Sequence, residues 1–183
     1  MADIRLDFTS WSRWRRYKTT FPFFVELLKP SKDDVILDVG AGTGVIADRV
    51  ASLCDEVYAL EPEIKRVDYV RRKFPEVKVF QSFAESIPFP ENYFTKIYVI
   101  FAFHHFKNPE LALSELERIS KPNSLLLIQE MNSKGIIAKV EMRISKHNFL
   151  GADSLQKKVE LAGFQTMRVD KTRDGYFGLF QKP

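Results

Sequence analysis

Three glycines stand close together in the segment Asp38-Val39-Gly40-Ala41-Gly42-Thr43-Gly44. The residues before them, 35–39, have the apolar, β-branched character of a buried strand, and the residues after them are typical of a helix. Glycine permits a tight turn and lets a ligand approach the backbone without meeting a Cβ atom, while the N-terminus of the helix offers unpaired amides. The segment therefore predicts a loop that binds a polar, nucleoside-sized ligand.

Two acidic residues distinguish this loop from a pyrophosphate site. The glycine spacing is G-x-G-x-G rather than the G-x-G-x-x-G of dinucleotide enzymes, and Asp38 lies two positions before the first glycine. A nearby carboxylate disfavours a pyrophosphate and favours a cationic group. Glu61 ends the second predicted strand, where a carboxylate can accept hydrogen bonds from both ribose hydroxyls. The simpler alternatives are a tight turn without a ligand and, for Asp38, a helix cap.

Two adjacent histidines, His104 and His105, follow the fourth predicted strand. Ligands bind at the carboxyl edge of α/β sheets, and histidine titrates near neutral pH, so either ring could act as a general base toward a hydroxyl or an amine. Neighbouring side chains of regular structure cannot both point into one site, so we predict no metal site here. The alternative is that neither histidine takes part in chemistry.

Short β-branched runs alternate with longer amphipathic stretches, which is typical of βαβ units and a mostly parallel sheet. Helix ends are indicated by Pro75, by the pair Asn108-Pro109 and by Gly163, and the Asp174-Gly175 turn favours a hairpin. We therefore predict an α/β, Rossmann-like, doubly wound sheet of seven strands with an antiparallel edge. The first five strands contain residues 35–39, 57–60, 77–80, 97–101 and 125–128, and two more flank the turn.

Two segments fall outside this alternation. Residues 1–29 interleave aromatic side chains with Arg and Lys, and residues 132–150 separate the fifth strand from the last helix. We predict that the first forms an amphipathic helical cover over the core and that the second is a substrate-side insertion. The alternative for the first is stacking on single-stranded RNA. Both belong to a single domain of residues 1–183, a length at which one core forms.

The composition excludes several classes of protein. The chain is 45% hydrophobic and 28% charged, as folded globular proteins are, and it contains no run of about 18 apolar residues. Its one cysteine, Cys54, excludes internal disulfides and thiolate zinc clusters. We expect a cytoplasmic protein without a membrane partner, because the first residues are unlike a secretory signal. Nine basic against four acidic residues between Lys134 and Arg173 suit either an RNA partner or, more simply, a basic surface.

Six segments, in their order and spacing, resemble the class I S-adenosylmethionine-dependent methyltransferases, especially the small-molecule enzymes called type 11. They are Leu37 to Gly44, Leu60-Glu61-Pro62, Ala84 to Pro90, Phe103-His104-His105-Phe106, Arg118 to Pro122 and Leu161 to Phe164, so the resemblance runs from about Val35 to Phe164. It implies S-adenosylmethionine as cofactor and transfer of its sulfonium methyl to O, N, C or S. We predict the strand order 3-2-1-4-5-7-6, with the last strand antiparallel.

Carried over to this sequence, the family pattern implies where the cofactor contacts the chain. Asp38 would lie near the methionine amino group and Glu61 on the ribose hydroxyls, with Pro62 next to it in the same segment. Residues 82–84, which include Phe83 and Ala84, would lie beside the adenine, and Phe101 under the sulfonium. The glycine loop would lie under the methionine and ribose, through Gly40, Ala41, Gly42, Thr43 and Gly44.

The sequence departs from the family pattern in three places. Phe83 stands where the family usually has an Asp that accepts a bond from adenine, and we expect its ring to stack on the base instead. Thr95 replaces an Asp that is common at the start of the fourth strand. Asn123-Ser124 replaces a pair of glycines.

The sequence thus predicts an S-adenosylmethionine-dependent methyltransferase whose acceptor is a small molecule. Such a cofactor already carries an activated leaving group, so the protein mainly supplies alignment and needs no extensive catalytic constellation. One alternative is a protein or RNA acceptor. Another is a non-catalytic domain that keeps the fold and binds a partner, which Phe83 and Thr95 favour, whereas Asp38, the glycines and Glu61 argue against it.

Overall fold

The computed structural model describes residues 21–131, 150–171 and 175–183. Along these residues the elements are α1 (21–28), β1 (Val35–Val39), α2 (Val45–Ala51), β2 (Glu56–Leu60), α3 (Ile64–Lys73), β3 (Lys78–Phe80), β4 (Phe94–Ile100), a 3-10 turn (Phe103–His105), α4 (Pro109–Ile119), β5 (Ser120–Met131), α5 (Ala152–Leu161), β6 (Gln165–Lys171) and β7 (Gly175–Gln181). None of the helices in these ranges is long and apolar enough to cross a membrane.

The strands form one seven-stranded sheet in the order β3-β2-β1-β4-β5-β7-β6. The first five are parallel, and β7 runs antiparallel to both β5 and β6. The predicted fold class, strand order and antiparallel last strand are confirmed. Since parallel strands share one carboxyl edge, the loops that follow β1, β2, β3 and β4 meet there.

Local sequence accounts for the ends of the helices. The Asn108 side chain accepts a hydrogen bond of 3.1 Å from the amide of Leu111, and Pro109 occupies the first turn, where its missing amide costs nothing. Gly163, with φ of +105°, follows α5 and takes a backbone conformation that other residues rarely adopt. These caps set where α4 begins and where α5 ends, and the end of α5 sets where β6 begins.

Helices cover both faces of the sheet. Helices α4 and α5 bury apolar residues against one face, and α1, α2 and α3 against the other. In α1, the Phe24 ring is fully buried and meets Tyr98 edge-on at 4.8 Å, while Phe23 stacks on Phe177 at 5.4 Å. The other parts of the predicted cover and insertion, residues 1–20 and 132–149, lie outside the described residues.

A polar network holds the amino end of the sheet. The Thr95 hydroxyl accepts a hydrogen bond from the amide of Val35 at 3.0 Å and donates one to Asp34 at 2.8 Å, and Lys96 pairs with the same carboxylate. Burial raises the pKa of Asp34, but the hydrogen bonds from Lys96, Thr95 and Ser31 outweigh it and hold that pKa below its ordinary value. Thr95 thus joins β4 to the start of β1, at the end of the sheet opposite the predicted site.

Candidate active site

The glycine loop after β1 has a backbone that other residues would strain. Gly40, Gly42 and Gly44 have φ angles of +79°, +58° and +73°. A Cβ atom on Gly40 would lie 2.4 Å from the Cβ of Ala102, and one on Gly44 would lie 2.8 Å from Cγ2 of Val70. The first glycine therefore lets the segment after β4 approach the loop, and the third lets α2 pack closely on α3.

Hydrogen bonds hold this loop against the end of β2. The amides of Gly40 and Ala41 both donate to the carbonyl of Leu60, at 2.9 and 3.0 Å. The amide of Gly42 donates to Oε2 of Glu61 at 2.9 Å. The loop and Glu61 are therefore one unit rather than two independent ligand contacts.

Glu61 is 3% exposed, and its carboxylate has partners on both oxygens. Oε1 accepts from the amide of Glu63 at 3.0 Å and lies 3.7 Å from the guanidinium of Arg66. A carboxylate has about four acceptor positions. Glu61 uses two of these positions for the amides of Gly42 and Glu63, so other positions remain for hydroxyl groups of a ligand.

Asp38 is 3% exposed and lies beside Tyr98 of the neighbouring strand β4. Burial raises the pKa of its carboxyl to about 8; the Tyr98 hydroxyl opposes this rise and the charge of Glu61 adds to it. The Tyr98 hydroxyl is itself buried and makes no hydrogen bond of normal geometry within the described residues. At neutral pH Asp38 therefore carries a proton, and a cationic group beside it would favour the charged form.

Phe83 follows β3 and is 49% exposed. The ammonium of Lys107 lies 4.5 Å from its ring centre, and Oε1 of Glu85 accepts bonds from the amides of Lys107 and Asn108 at 2.6 and 3.0 Å. Ala84 is buried under this segment. Phe83 thus presents an aromatic surface beside a cation, which suits a planar base.

Two other predicted residues flank these groups. Pro62 is exposed, and its carbonyl accepts from the Gln81 side chain at 3.2 Å. Phe101, directly after β4, has φ of +51°, a left-handed conformation that costs a bulky side chain about 1 to 3 kcal/mol. Its amide donates to the carbonyl of Gln129 at 2.9 Å. Strain of this kind often accompanies functional sites, and here it lies where the sulfonium was predicted.

The structure separates the two histidines. His104 is buried, and its Nδ1 lies 2.8 Å from Oε2 of Glu130, whereas His105 is exposed. Their ring centres are 4.0 Å apart. Glu130 is 2% exposed near the end of β5, opposite Tyr176 of β7, and burial followed by the charge of Glu130 raises the pKa of Tyr176. Only His104 therefore belongs to a buried acid–base pair.

Sequence reasoning missed Glu130 and Tyr98. We predicted that the fifth strand contains Leu125 to Ile128, but β5 extends to Met131. Alternation along the strand puts Glu130 on the same face as Leu126 and Ile128, and an acid at such a position was the available signal. Tyr98 looked like an ordinary core aromatic, since nothing in its neighbourhood along the chain points to Asp38.

The predicted residues lie along the carboxyl edge of β1 to β4, with Asp38 beneath it. Within the ranges given above, no group of three or more His, Cys, Asp or Glu side chains could hold a metal ion. A family model described as a methyltransferase domain matches residues 37–128. The chain belongs to the methyltransferase domain family. The match includes the glycine loop, Glu61, Phe83 and His104, and membership of this family implies S-adenosylmethionine as the cofactor.

Curated methyltransferases are similar to this chain at moderate identity. Demethylmenaquinone methyltransferase of Renibacterium salmoninarum is 26% identical over 130 residues, which are 71% of this chain and 54% of that protein. O-methyltransferase cnsE of Penicillium expansum is 28% identical over 160 residues, 80% of this chain and 58% of that protein. The chain therefore spans about half the length of the curated relatives it matches.

Solved methyltransferases share its fold. The crystal structure of a SAM-dependent methyltransferase from Aquifex aeolicus superposes with a TM-score of 0.71 at 22% identity, over 87% of this chain and 92% of that one. The seven-stranded sheet described above is thus the class I methyltransferase fold.

Proposed function

We propose that the protein transfers the methyl group of S-adenosylmethionine to a small-molecule acceptor. The observation that carries this proposal is the hydrogen bond from the Gly42 amide to the buried carboxylate of Glu61. This bond joins the glycine loop, where added Cβ atoms would clash, to a carboxylate that can accept hydrogen bonds from ribose hydroxyls. The loop and the carboxylate thus form one unit at the carboxyl edge of the sheet. Packing of a tight turn requires no buried carboxylate at this point.

The residues present fit the cofactor from end to end. The buried pair of Asp38 and Tyr98 has an unsatisfied hydroxyl and a carboxyl that would ionise beside the ammonium of a methionine tail, because a neighbouring cation favours the charged form. Glu61 would hold the ribose and the exposed ring of Phe83 the adenine. When bound, the cofactor supplies an activated methyl group on a sulfonium.

The chain itself would supply alignment and exclude water. The backbone of Gly40 to Gly44, with Ala41 and Thr43 between the glycines, would form the floor of the cofactor site, and Pro62 and Ala84 would close its sides. Phe101 would lie under the sulfonium, where its strained backbone turns the chain away from β4. Such positioning lowers the barrier by holding the reacting atoms in line.

The names of two relatives support a small-molecule acceptor. One relative is named for demethylmenaquinone, a small molecule, and another is an O-methyltransferase.

The alternative of a non-catalytic domain loses one of the two residues that favoured it, because Thr95 is part of the network at the opposite end of the sheet. Phe83 was the other residue that favoured a non-catalytic domain. Its exposed ring suits adenine, so its presence does not indicate a lost cofactor site.

Calorimetric titration with S-adenosylhomocysteine, S-adenosylmethionine and NAD tests this proposal. We expect the wild type to bind the first two and not NAD. Glu61→Gln should bind them more weakly by about one to two orders of magnitude, since a charge-assisted hydrogen bond contributes roughly 1.5 to 3 kcal/mol. Glu63→Gln is the matched control, because this neighbouring side chain is about half exposed and pairs with Arg66. Preference for NAD, or equal affinity in all three proteins, would contradict the proposal.

A further inference from the structure

A buried histidine–carboxylate pair joins the turn after β4 to the end of β5. Nδ1 of His104 is 2.8 Å from Oε2 of Glu130, and each side chain is 3% exposed. The two residues come from different elements, the 3-10 turn after β4 and the end of β5. A buried carboxylate is expensive unless it is paired, so this contact fixes the orientation of the imidazole ring.

With Glu130 ionised, as its pairing with a histidine favours, the contact decides which ring nitrogen is basic. An ionised carboxylate only accepts hydrogen bonds, so the neutral imidazole must carry its proton on Nδ1 and its lone pair on Nε2. The negative charge of Glu130 also stabilises the imidazolium that forms when Nε2 takes a proton. The pair therefore has the properties of a general base whose orientation is set by a second residue.

We propose that His104, oriented by Glu130, takes the proton from a phenol-type hydroxyl of the methyl acceptor. This inference rests on the proposed function. The acceptor oxygen forms a bond to the methyl carbon, and the carbon–sulfur bond breaks with its electron pair going to sulfur. The hydroxyl proton moves to Nε2 of His104. S-adenosylhomocysteine and a methyl ether are the products, and Glu130 is a positioning residue.

The surroundings of the pair favour an aromatic hydroxyl. Phe103 and Phe106 flank the two histidines in sequence, with their rings 5.1 Å apart, and Tyr176 lies across from Glu130. A neutral amine already offers a lone pair, whereas a phenol is a far better nucleophile once its proton is removed. Of the described titratable groups, Glu130 from β5, Tyr176 from β7 and His105 from the same turn face His104 or its partner.

The first experiment requires no acceptor. Protein with ¹⁵N-labelled histidine, of which the chain has three residues, reports the tautomer of each ring by NMR. We expect one ring held as the Nδ1–H tautomer, with its signal absent from His104→Gln. Glu130→Gln should convert that ring to a mixture of tautomers, and Glu130→Asp should restore it in part. An Nε2–H tautomer for His104 in the wild type would overturn the proposal.

The second experiment measures methylation of para-cresol and para-nitrophenol with S-adenosylmethionine near neutral pH. A large fraction of para-nitrophenol is ionised there, whereas para-cresol is almost entirely protonated. His104→Gln should lower kcat for para-cresol by about 10² to 10⁴-fold, as removal of a general base does, and for para-nitrophenol by less than about tenfold. Glu130→Gln should lower kcat for para-cresol with little change in KM, and shift the acidic limb of its pH profile. Glu130→Asp should recover part of the activity.

The outcomes separate this inference from the proposed function. Equal losses for both phenols, or a larger loss for para-cresol in His105→Gln than in His104→Gln, would overturn the assignment of His104. A protein that binds S-adenosylhomocysteine but methylates neither phenol would overturn the acceptor class and leave the proposed function standing. Failure to bind S-adenosylhomocysteine would overturn both.

Discussion

The protonated carboxyl of Asp38 should make stability fall as pH rises toward neutrality. Its pKa is about 8 in the folded protein, against an ordinary value of 3.8. Between these two pH values the folded protein holds a proton that the unfolded chain has lost, so the free energy of unfolding decreases with pH. This contribution is complete below about pH 4 and is lost as the pH rises through about 8.

The size of the effect follows from the two pKa values. They differ by about four, and each unit corresponds to about 1.36 kcal/mol, which sets an upper bound of roughly 6 kcal/mol. Asp38→Asn removes the titration while keeping a neutral group of nearly the same shape. The variant should therefore exceed the stability of the wild type by only about 1 to 2 kcal/mol near pH 5 and by several kcal/mol near pH 8, without cofactor. The same variant should bind S-adenosylmethionine more weakly, because it lacks a negative charge for the ammonium.

Urea unfolding of the cofactor-free proteins at about pH 5, 6, 7 and 8 measures this difference. Subtracting wild type from variant cancels the other acids. Asp34 and Glu115, for example, have lowered pKa values, so their contributions are lost only as the pH falls below this window. Tyr98→Phe is the control, because it keeps the carboxyl and removes the hydroxyl that lowers its pKa. Parallel stability curves for wild type and Asp38→Asn would mean that Asp38 is ionised in the folded protein, and would refute the reasoning.

Four further substitutions test other parts of the structure. Phe83→Ala should raise the Kd for S-adenosylmethionine by about 5- to 150-fold, or 1 to 3 kcal/mol, in calorimetry, and an unchanged Kd would mean that the ring does not meet the adenine. Glu61→Ala should lower the free energy of unfolding by about 1 to 3 kcal/mol for each amide left without a partner, measured by urea unfolding without ligand. Gly40→Ala should lower thermal stability and abolish cofactor binding, because its Cβ would lie 2.4 Å from that of Ala102; a fully active variant would show that the loop can shift. Thr95→Val should cost about 1 to 3 kcal/mol of stability and leave the Kd unchanged, whereas a raised Kd would connect this residue to the site.

The alternation of short strands and helices was sufficient to predict a mostly parallel α/β sheet, and the resemblance to the methyltransferases implied its strand order. Parallel interior strands are apolar on both faces, so they can be recognised as short apolar runs. Asn108-Pro109 at the start of α4 and Gly163 after α5 are recognisable because these residue types favour the ends of helices. The fifth strand was predicted too short. Asn123 takes φ of +64°, within a strand that runs from Ser120 to Met131. Asparagine tolerates this conformation better than most residues, which accounts for its standing where the family usually has glycine.

The site was predictable where chemistry follows from neighbours along the chain and not where it depends on packing. The glycine spacing and the position of Glu61 indicated a nucleoside site. Nothing in the sequence indicated that Glu61 would also hold the glycine loop. In the structure Glu61 is 3% exposed and binds the amides of Gly42 and Glu63. The pairs Asp38–Tyr98 and His104–Glu130 join residues 60 and 26 positions apart, so only the folded sheet brings them together.

The position of Thr95 at the opposite end of the sheet from Glu61 divides the effects of mutation into two kinds. Changes in the network of Thr95, Asp34 and Lys96 act on the fraction of molecules that are folded, and in a cell a loss of 1 to 2 kcal/mol changes protein abundance several-fold. Changes at Glu61 or Phe83 act on turnover per molecule. Selection for a new acceptor can therefore alter the carboxyl edge while the amino end keeps the protein abundant, and stabilising substitutions at the amino end would widen the range of sequences that the carboxyl edge can explore.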